Sequence, residues 1–440
     1  MLRSDLPRGA GAPTPAARRA ALLAVLWLCA MSCGRGAVPA GQGSDDRPAE
    51  GAGRWRTTGE ADPPSDTAAR TAELESIGYL AGSRRAQAPG GVQVLDPGRV
   101  QPGVNLVVSG HAPEALLVSN DGRLLHRWGI ACRKAFPGVP ASDQPRFLYF
   151  RRAKLLRNGD LLAIFEGTGM VRLRPDSSLV WAWPGHAHHD LDQRHDGRIV
   201  TLARDVRLVP RIDPVNPILV DSVVELSPDG VELRRISLLD ALEATEGVEA
   251  ADARLTHVLE PTRGDVLHAN AVRVVEQASA GPLAPAQPGD VLVSLRSLDL
   301  VGVLDLEAGR FRWLRTGNWH GQHQPQLLAN GHVLLFDNGG GGHSRVLEFD
   351  PETGAQTWQW SGTAEDPLWS ETCGSVQRLP SGDTLVVESD GGRALLVAPD
   401  GHVVWRFDSP WRAGVDDELV ATLFDVERLP DDFPLDWMRR

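Results

Sequence analysis

The chain has 440 residues, 42% of them hydrophobic and 23% charged, enough for one large domain or several ordinary ones. Its net charge of −12 opposes a nucleic-acid groove, which needs a basic face. Gly 46 and Pro 32 point to a globular chain rich in turns.

Residues 1–33 read as an export signal. Arg18 and Arg19 precede the apolar run Ala20–Ala30, too short to span a bilayer and the right length for a signal core. Ala30 and Ser32 then lead to Cys33, a pattern like a bacterial lipoprotein box. We expect Cys33 to carry lipid, with simple signal cleavage as the alternative. Either places the protein outside the cytoplasm, in the periplasm or at the cell envelope, touching membrane only through the anchor.

Residues 34–91 are rich in Gly, Pro, Ala and charge through residue 66 and read as a tether unable to bury a core. Residues 67–80 allow a short amphipathic helix. Beyond the signal, Cys132 and Cys373 either form a disulfide, as export permits, or are two separate buried thiols. Their separation matches no zinc-site spacing.

From Val92 to Arg440 the signal is all-β. Apolar runs alternate with Asn-Gly, Asp-Gly and Ser-Gly turns. One hairpin type turns at Gly159, Gly197, Gly289, Gly331 and Gly382. A second carries Trp four residues past the turn, as in Ser177–Trp181, Gly309–Trp313, Gly354–Trp358 and Gly401–Trp405. Two hairpins make a four-stranded sheet, so the turns pair into five units. A spare hairpin at the front (around Gly122) and a spare strand at the back ("ATLFDVERL") would complete a sixth. The prediction is a six-bladed β-propeller closed by strands from both chain ends.

Register then locates a site. Counting back eight residues from the first turn of a unit gives Arg151, His189, His323 and Gly374. The unit with the expanded turn starts its first strand at His268. Equivalent strand ends open at one mouth of a propeller, so His189, His268 and His323 would meet. Seven residues past the turn glycine stand Glu166, Arg204, Arg296, Asn338 and Ser389, a polar row that is ordinary at strand ends. Arg296 stands out because it shares the unit of His268. Three imidazoles and a guanidinium suit a tetrahedral oxyanion, and a neutral histidine can act as nucleophile near pH 7. "HAHHD", from His186, departs from a metal motif at Leu191. No metal or cofactor is expected.

The segments "HHDLDQRHDGRIV", "DVLHANAVRVV", "VLVSLRSLDLVGVLD" and "GQHQPQLLANGHVLLFDNGGGG" together resemble the bacterial arylsulfate sulfotransferases that do not use the nucleotide sulfate donor. The resemblance covers about residues 180–400 and implies the same propeller. It further implies a ping-pong reaction in which His323 takes a sulfuryl group from an aryl sulfate and passes it to a phenol. By the same likeness His189, His268 and Arg296 would hold the sulfuryl oxygens, with Asn270 in support. The sandwich domain of well-known members has no counterpart in this sequence, which leaves oligomeric state open. The alternatives are a propeller that binds an anionic, glycan or protein ligand without catalysis, and a sulfate- or phosphate-ester hydrolase.

Overall fold

The computed structural model describes residues 82–86, 89–139, 147–276, 286–340, 342–414 and 416–439. The signal, the Cys33 lipid site, most of the tether and the short helix predicted at 67–80 lie outside them. The fold is all-β, built of antiparallel sheets.

Each pair of turns folds into one sheet, whose leading strand carries the site. The second sheet runs Arg152–Leu155, Leu161–Phe165, Gly169–Leu173 and Leu179–Trp183. The third, fourth and fifth sheets begin at Ala187–Gln193, Ala269–Val274 and His323–Leu327. The sixth begins at Ser375–Arg378 and ends with Val403–Asp408, to which Gly91–Leu95 adds a fifth strand. The first sheet joins the chain ends, because Leu423–Arg428 pairs antiparallel with Val104–Ser109. One difference from the sequence reading lies at the end of the tether. Gly82–Arg85 is a strand, paired with Leu419–Ala421 in a small separate sheet.

Side-chain alternation explains how the sheets stack. Successive residues of a strand face opposite sides. Leu161, Ala163 and Phe165 pack with Leu106, Leu117 and Trp128 of the first sheet, whereas Leu162 and Ile164 pack with Leu191 and Ile199 of the third. The same alternation continues through the fourth, fifth and sixth sheets. The sixth then packs on the first through Val387, Leu396, Val107 and Leu116. Indoles tie neighbouring sheets as well. Trp128 Nε1 donates to Gly159 O, Trp181 Nε1 to Pro228 O and Trp405 Nε1 to Asn120 O, at 2.8–3.1 Å.

The leading strands also bond to one another around a buried polar knot. The Arg152 guanidinium reaches Asp425 at 2.8 Å, Asp190 at 2.9 Å and Gln324 Oε1 at 2.9 Å, which joins four sheets in one side chain. Gln324 in turn donates to Asp190 and accepts from Arg273. A buried charge needs such partners, since stripping water from it is costly. On the far side of the knot lies a cavity of about 240 Å³ with Lys154, Asp192, Arg273 and Glu427 on its walls.

Two longer helices, besides the single turn Cys132–Ala135, depart from the all-β prediction. Leu238–Glu246 and Val248–Leu259 follow the third sheet. Ser237 caps the first by accepting from Asp240 N at 3.2 Å. Leu238, Leu239, Leu242, Ala251 and Leu255 fall at helical spacing and are buried over the third and fourth sheets. Regular glycine turns on either side drew the sequence reading toward strands. The helices matter because the chain leaving them carries Asp265 and His268.

Gly374 is a glycine for a steric reason. A Cβ there would lie 2.5 Å from the Phe336 ring. Gly374→Ala should therefore cost about 1–3 kcal/mol, the usual scale of overpacking. A denaturant melt with an unchanged midpoint would refute that fit.

Candidate functional site

Five leading strands bring one residue each to a common mouth, and the first sheet adds Phe424. The set is Phe424, Arg151, His189, His268, His323 and Cys373, all buried. The three histidine strands share a local irregularity. Register shifts fall between His188 and Leu191, between Ala269 and Ala271, and between His323 and Gln326. His189, His268 and Gln324 take positive φ of 56°, 46° and 47°. Non-glycine residues hold such angles only when their surroundings enforce them, which is frequent at functional sites. Here the bulges turn the imidazoles toward one another instead of onto alternate faces.

His323 is fixed most tightly. Its Nδ1 lies 2.6 Å from Asn338 Oδ1 and 3.0 Å from Gly321 O. The Asn338 amide nitrogen already donates to Ser370 O and Cys373 O, at 2.7 and 2.9 Å. Its oxygen must therefore accept, so the His323 proton sits on Nδ1. That leaves the Nε2 lone pair free, and Nε2 has no hydrogen-bond partner among the described residues.

Arg296 comes from the turn Arg296–Leu298, held where its backbone N–H donates to His268 O at 3.1 Å. Its guanidinium occupies the space beside Gly321, two residues from His323, at 3.6–3.7 Å from where a side chain would start. Its Nε has no hydrogen-bond partner among the described residues. His268 Nδ1 lies 2.6 Å from Asp265 Oδ2, which fixes that ring and its tautomer. The His189 and His268 rings meet edge-on with centroids 5.0 Å apart. Asn270 donates to Gln322 O at 2.8 Å, so its first task is to hold the backbone next to His323.

Three charged groups complete the mouth. Glu166 accepts from the His189 backbone N–H at 3.0 Å. Arg151 and Arg204 flank the same carboxylate at 3.9 and 3.8 Å. Arg151 Nη2 also lies 4.0 Å from Cys373 Sγ, and its guanidinium stands 4.9 Å over the Phe424 ring. Sequence reasoning had Arg151 in the histidine register and Glu166, Arg204 and Asn338 in the polar row, yet assigned none of them. The shared offset of seven residues after the turn glycine was the signal. Cys132 and Cys373 are separate buried thiols, which decides the question left open above. Burial pushes the Cys373 thiol up to about 11, so it stays neutral.

Glu166, His188 and His189 place possible ligand atoms within 4.8 Å of one another. Arg151 and Arg204, 3.9 and 3.8 Å from the Glu166 carboxylate, bring positive charge that disfavours a cation, and His188 Nδ1 lies 2.7 Å from His189 Nδ1. The surroundings favour an anion. His188 is otherwise turned to Asp221, 3.3 Å from its Nε2.

The same surroundings keep the imidazoles neutral. Burial first, then the Arg296 guanidinium, hold His323 well below the ordinary histidine value of 6.5, outweighing the Asn338 bond that favours its protonated form. Burial and then His188 and Arg151 do the same to His189. His268 is lowered by burial despite Asp265. A depressed pKa preserves the free lone pair at lower pH. The acid limb of kcat/KM should therefore fall below pH 6.5, and a limb at or above 6.5 would contradict a desolvated nucleophile.

A sheet-built mouth lined by fixed neutral imidazoles and guanidiniums defines a group-transfer or anion-binding site. The arylsulfotransferase (ASST) family profile matches residues 152–409, more than half of the chain, and the chain belongs to that family. No curated protein sequence matches it. Among solved structures, a protein of unknown function from Bacteroides caccae is 12% identical, with 75% of this chain and 100% of that chain covered and a TM-score of 0.47. Virginiamycin B lyase from Staphylococcus aureus is 10% identical over 57% of this chain and 68% of its own, with a TM-score of 0.35. The Dos1 propeller is 9% identical over 70% and 75%, with a TM-score of 0.38. Likenesses of this size carry no information on substrate or mechanism.

Proposed function

We propose that the six sheets form a six-bladed propeller closed by the pairing of Leu423–Arg428 with Val104–Ser109, and that its mouth transfers sulfuryl groups between phenols. The observation that carries this reading is His323, buried, neutral, protonated at Nδ1, and with Nε2 unpartnered beside Arg296.

In the first half-reaction the Nε2 lone pair of His323 attacks the sulfur of an aryl sulfate. The N–S bond forms, and the S–O(aryl) bond breaks with its electron pair leaving on the phenolate. Arg296 donates to the sulfuryl oxygens as charge shifts among them, joined by His189 and by His268 once the bound anion and Asp265 hold His268 as an imidazolium that donates from Nε2. The imidazole becomes cationic, and Asn338 Oδ1 and Gly321 O hold its Nδ1 proton. In the second half-reaction a phenol oxygen attacks sulfur and passes its proton to solvent water. The N–S bond then breaks and its pair returns to Nε2. The donor phenol leaves before the acceptor phenol binds, which makes the kinetics ping-pong. No cofactor takes part. The N-terminal sequence supports export and attachment through Cys33.

The test is intact-protein mass after brief exposure to 4-nitrophenyl sulfate, followed by addition of phenol. The expected result is a sulfuryl adduct that vanishes with phenol while phenyl sulfate appears. Steady nitrophenol release with no adduct and no phenyl sulfate would overturn the reading in favour of hydrolysis.

A further inference from the structure

Arg296 and His323 belong to different sheets, so something between the sheets must set their spacing. Arg296 begins a turn of the fourth sheet, and His323 opens the fifth. Asp299 stands between them. It directly follows the Arg296–Leu298 turn and holds φ 49°. That left-handed conformation is strained for a residue with a Cβ, and it persists only where the surroundings enforce it.

Every polar group of Asp299 is spent on the two segments that carry the site. Its backbone N–H donates to Arg296 O at 3.2 Å, which closes the turn. Its carbonyl oxygen accepts from Trp319 Nε1 at 3.0 Å. Its Oδ1 accepts from Gly321 N at 2.7 Å, and its Oδ2 lies 3.0 Å from His320 Nδ1. Three of the four contacts therefore grip Trp319–Gly321, the segment that leads into His323.

The bond to Gly321 bears directly on the chemistry. Gly321 O accepts from His323 Nδ1, so the residue that Asp299 grips also holds the proton of the ring. Gly321 itself takes φ 61°, with the Arg296 guanidinium packed beside it. A carboxylate accepting from a peptide N–H makes a charge-assisted bond, stronger than a neutral one. The contact with His320 explains less, because that side chain is largely exposed and an exposed ion pair contributes little.

We propose that Asp299 is a positioning residue for sulfuryl transfer, a latch that sets the spacing between the Arg296 guanidinium and the His323 ring. The inference rests on the arylsulfotransferase reading and assigns it a residue that touches neither substrate nor reacting atom. A second tie keeps the fold when the latch is cut. Gln322 Nε2 donates to Ser294 Oγ at 3.0 Å and to Leu300 O at 3.1 Å, on either side of the same turn.

Asp299→Gly and Asp299→Asn separate the latch from its charge. Glycine keeps the left-handed turn and removes both carboxylate contacts. Asparagine also tolerates that turn, keeps an oxygen for Gly321 N, and removes only the charge. The first measurement, on the full chain, is the titration of His323 by NMR of ring-labelled histidine, its signal assigned by loss in His323→Ala. Burial and then Arg296 hold the His323 pKa down, and Arg151 and His268 add to this. An open latch lets the guanidinium drift from the ring, so the midpoint rises toward 6.5. Loss of the Asp299 charge alone moves it the other way, since a nearby carboxylate favours the protonated ring. We expect a rise in Asp299→Gly and none in Asp299→Asn.

The second measurement is turnover of 4-nitrophenyl sulfate with phenol. In Asp299→Gly kcat should fall about 10- to 100-fold, the scale of a small misplacement of reacting groups, while KM changes less than threefold. Asp299→Asn should restore most of that loss. Trp319→Phe, which cuts only the indole bond to Asp299 O, is the milder variant should glycine not fold. It should raise the His323 midpoint in the same direction. An unchanged or lowered midpoint in the folded variants would overturn the latch, as would equal losses of kcat in Asp299→Gly and Asp299→Asn. The titration needs no turnover. A raised midpoint in Asp299→Gly of a protein without sulfotransfer would retain the latch and remove the reaction assigned above. Sulfotransfer by the wild type, with an unmoved midpoint in the variants, would do the reverse.

Discussion

His323→Ala is expected to abolish sulfotransfer, with kcat reduced on the order of 10⁴-fold or more, the scale seen when a nucleophile is removed. The prediction follows from the way the ring is held. Asn338 has both amide hydrogens committed to Ser370 O and Cys373 O, so it offers only its oxygen to Nδ1. The lone pair is thereby delivered on Nε2 without a separate base. Alanine removes that pair. Loss of a buried ring creates a cavity, so the melting curve is measured alongside. A folded variant that keeps wild-type rates, or still forms the sulfuryl adduct, would remove His323 from the chemistry. Asn338→Ala separates positioning from attack, because it leaves the nucleophile present and frees its tautomer. It should lower kcat more than it changes KM.

The second large effect is expected at Arg296. Arg296→Lys keeps the charge but replaces a planar fork with a single ammonium. Loss of one preorganised oxyanion donor costs about 10²–10³-fold in kcat. We expect a loss of that size in kcat/KM for 4-nitrophenyl sulfate, with the protein fully folded because the Arg296 head group is half-buried and its backbone bond to His268 is unaffected. A loss of less than tenfold would assign the sulfuryl oxygens to other groups, Arg151 first among them. Arg151 lies in the same mouth, and both guanidiniums disfavour a proton on His323.

Much of this site could be read from spacing alone. The turn glycines Gly159, Gly197, Gly289, Gly331 and Gly382 all take positive φ, as turns of those sequences require. With the turns fixed, His189 and His323 each stand eight residues ahead of theirs, and His268 opens the first strand of the unit with the expanded turn. The side-chain partners were not legible. Asp265 comes before its strand, on a segment placed by two helices that the glycine rhythm concealed. Asn338 was visible in the polar row, but its role depends on two carbonyls contributed by the next sheet, which no local pattern reports. Arg151 stood in the histidine register with no role assigned to it. Its importance arises from Glu166 and Cys373, brought there by tertiary packing. The strand Gly82–Arg85 was unreadable for a similar reason, because its partner Leu419–Ala421 is more than three hundred residues away.

The knot around Arg152 has a kinetic consequence. In the propeller proposed above, Arg152 with Asp190, Asp425 and Gln324 would plug the axis behind the mouth. Traffic is one-door: a spent phenol must retreat along the path by which its sulfate ester came in, and a waiting phenol blocks that path for the next ester. Raising the acceptor concentration should therefore end in inhibition relieved by more donor, the behaviour of two guests taking turns in a single seat.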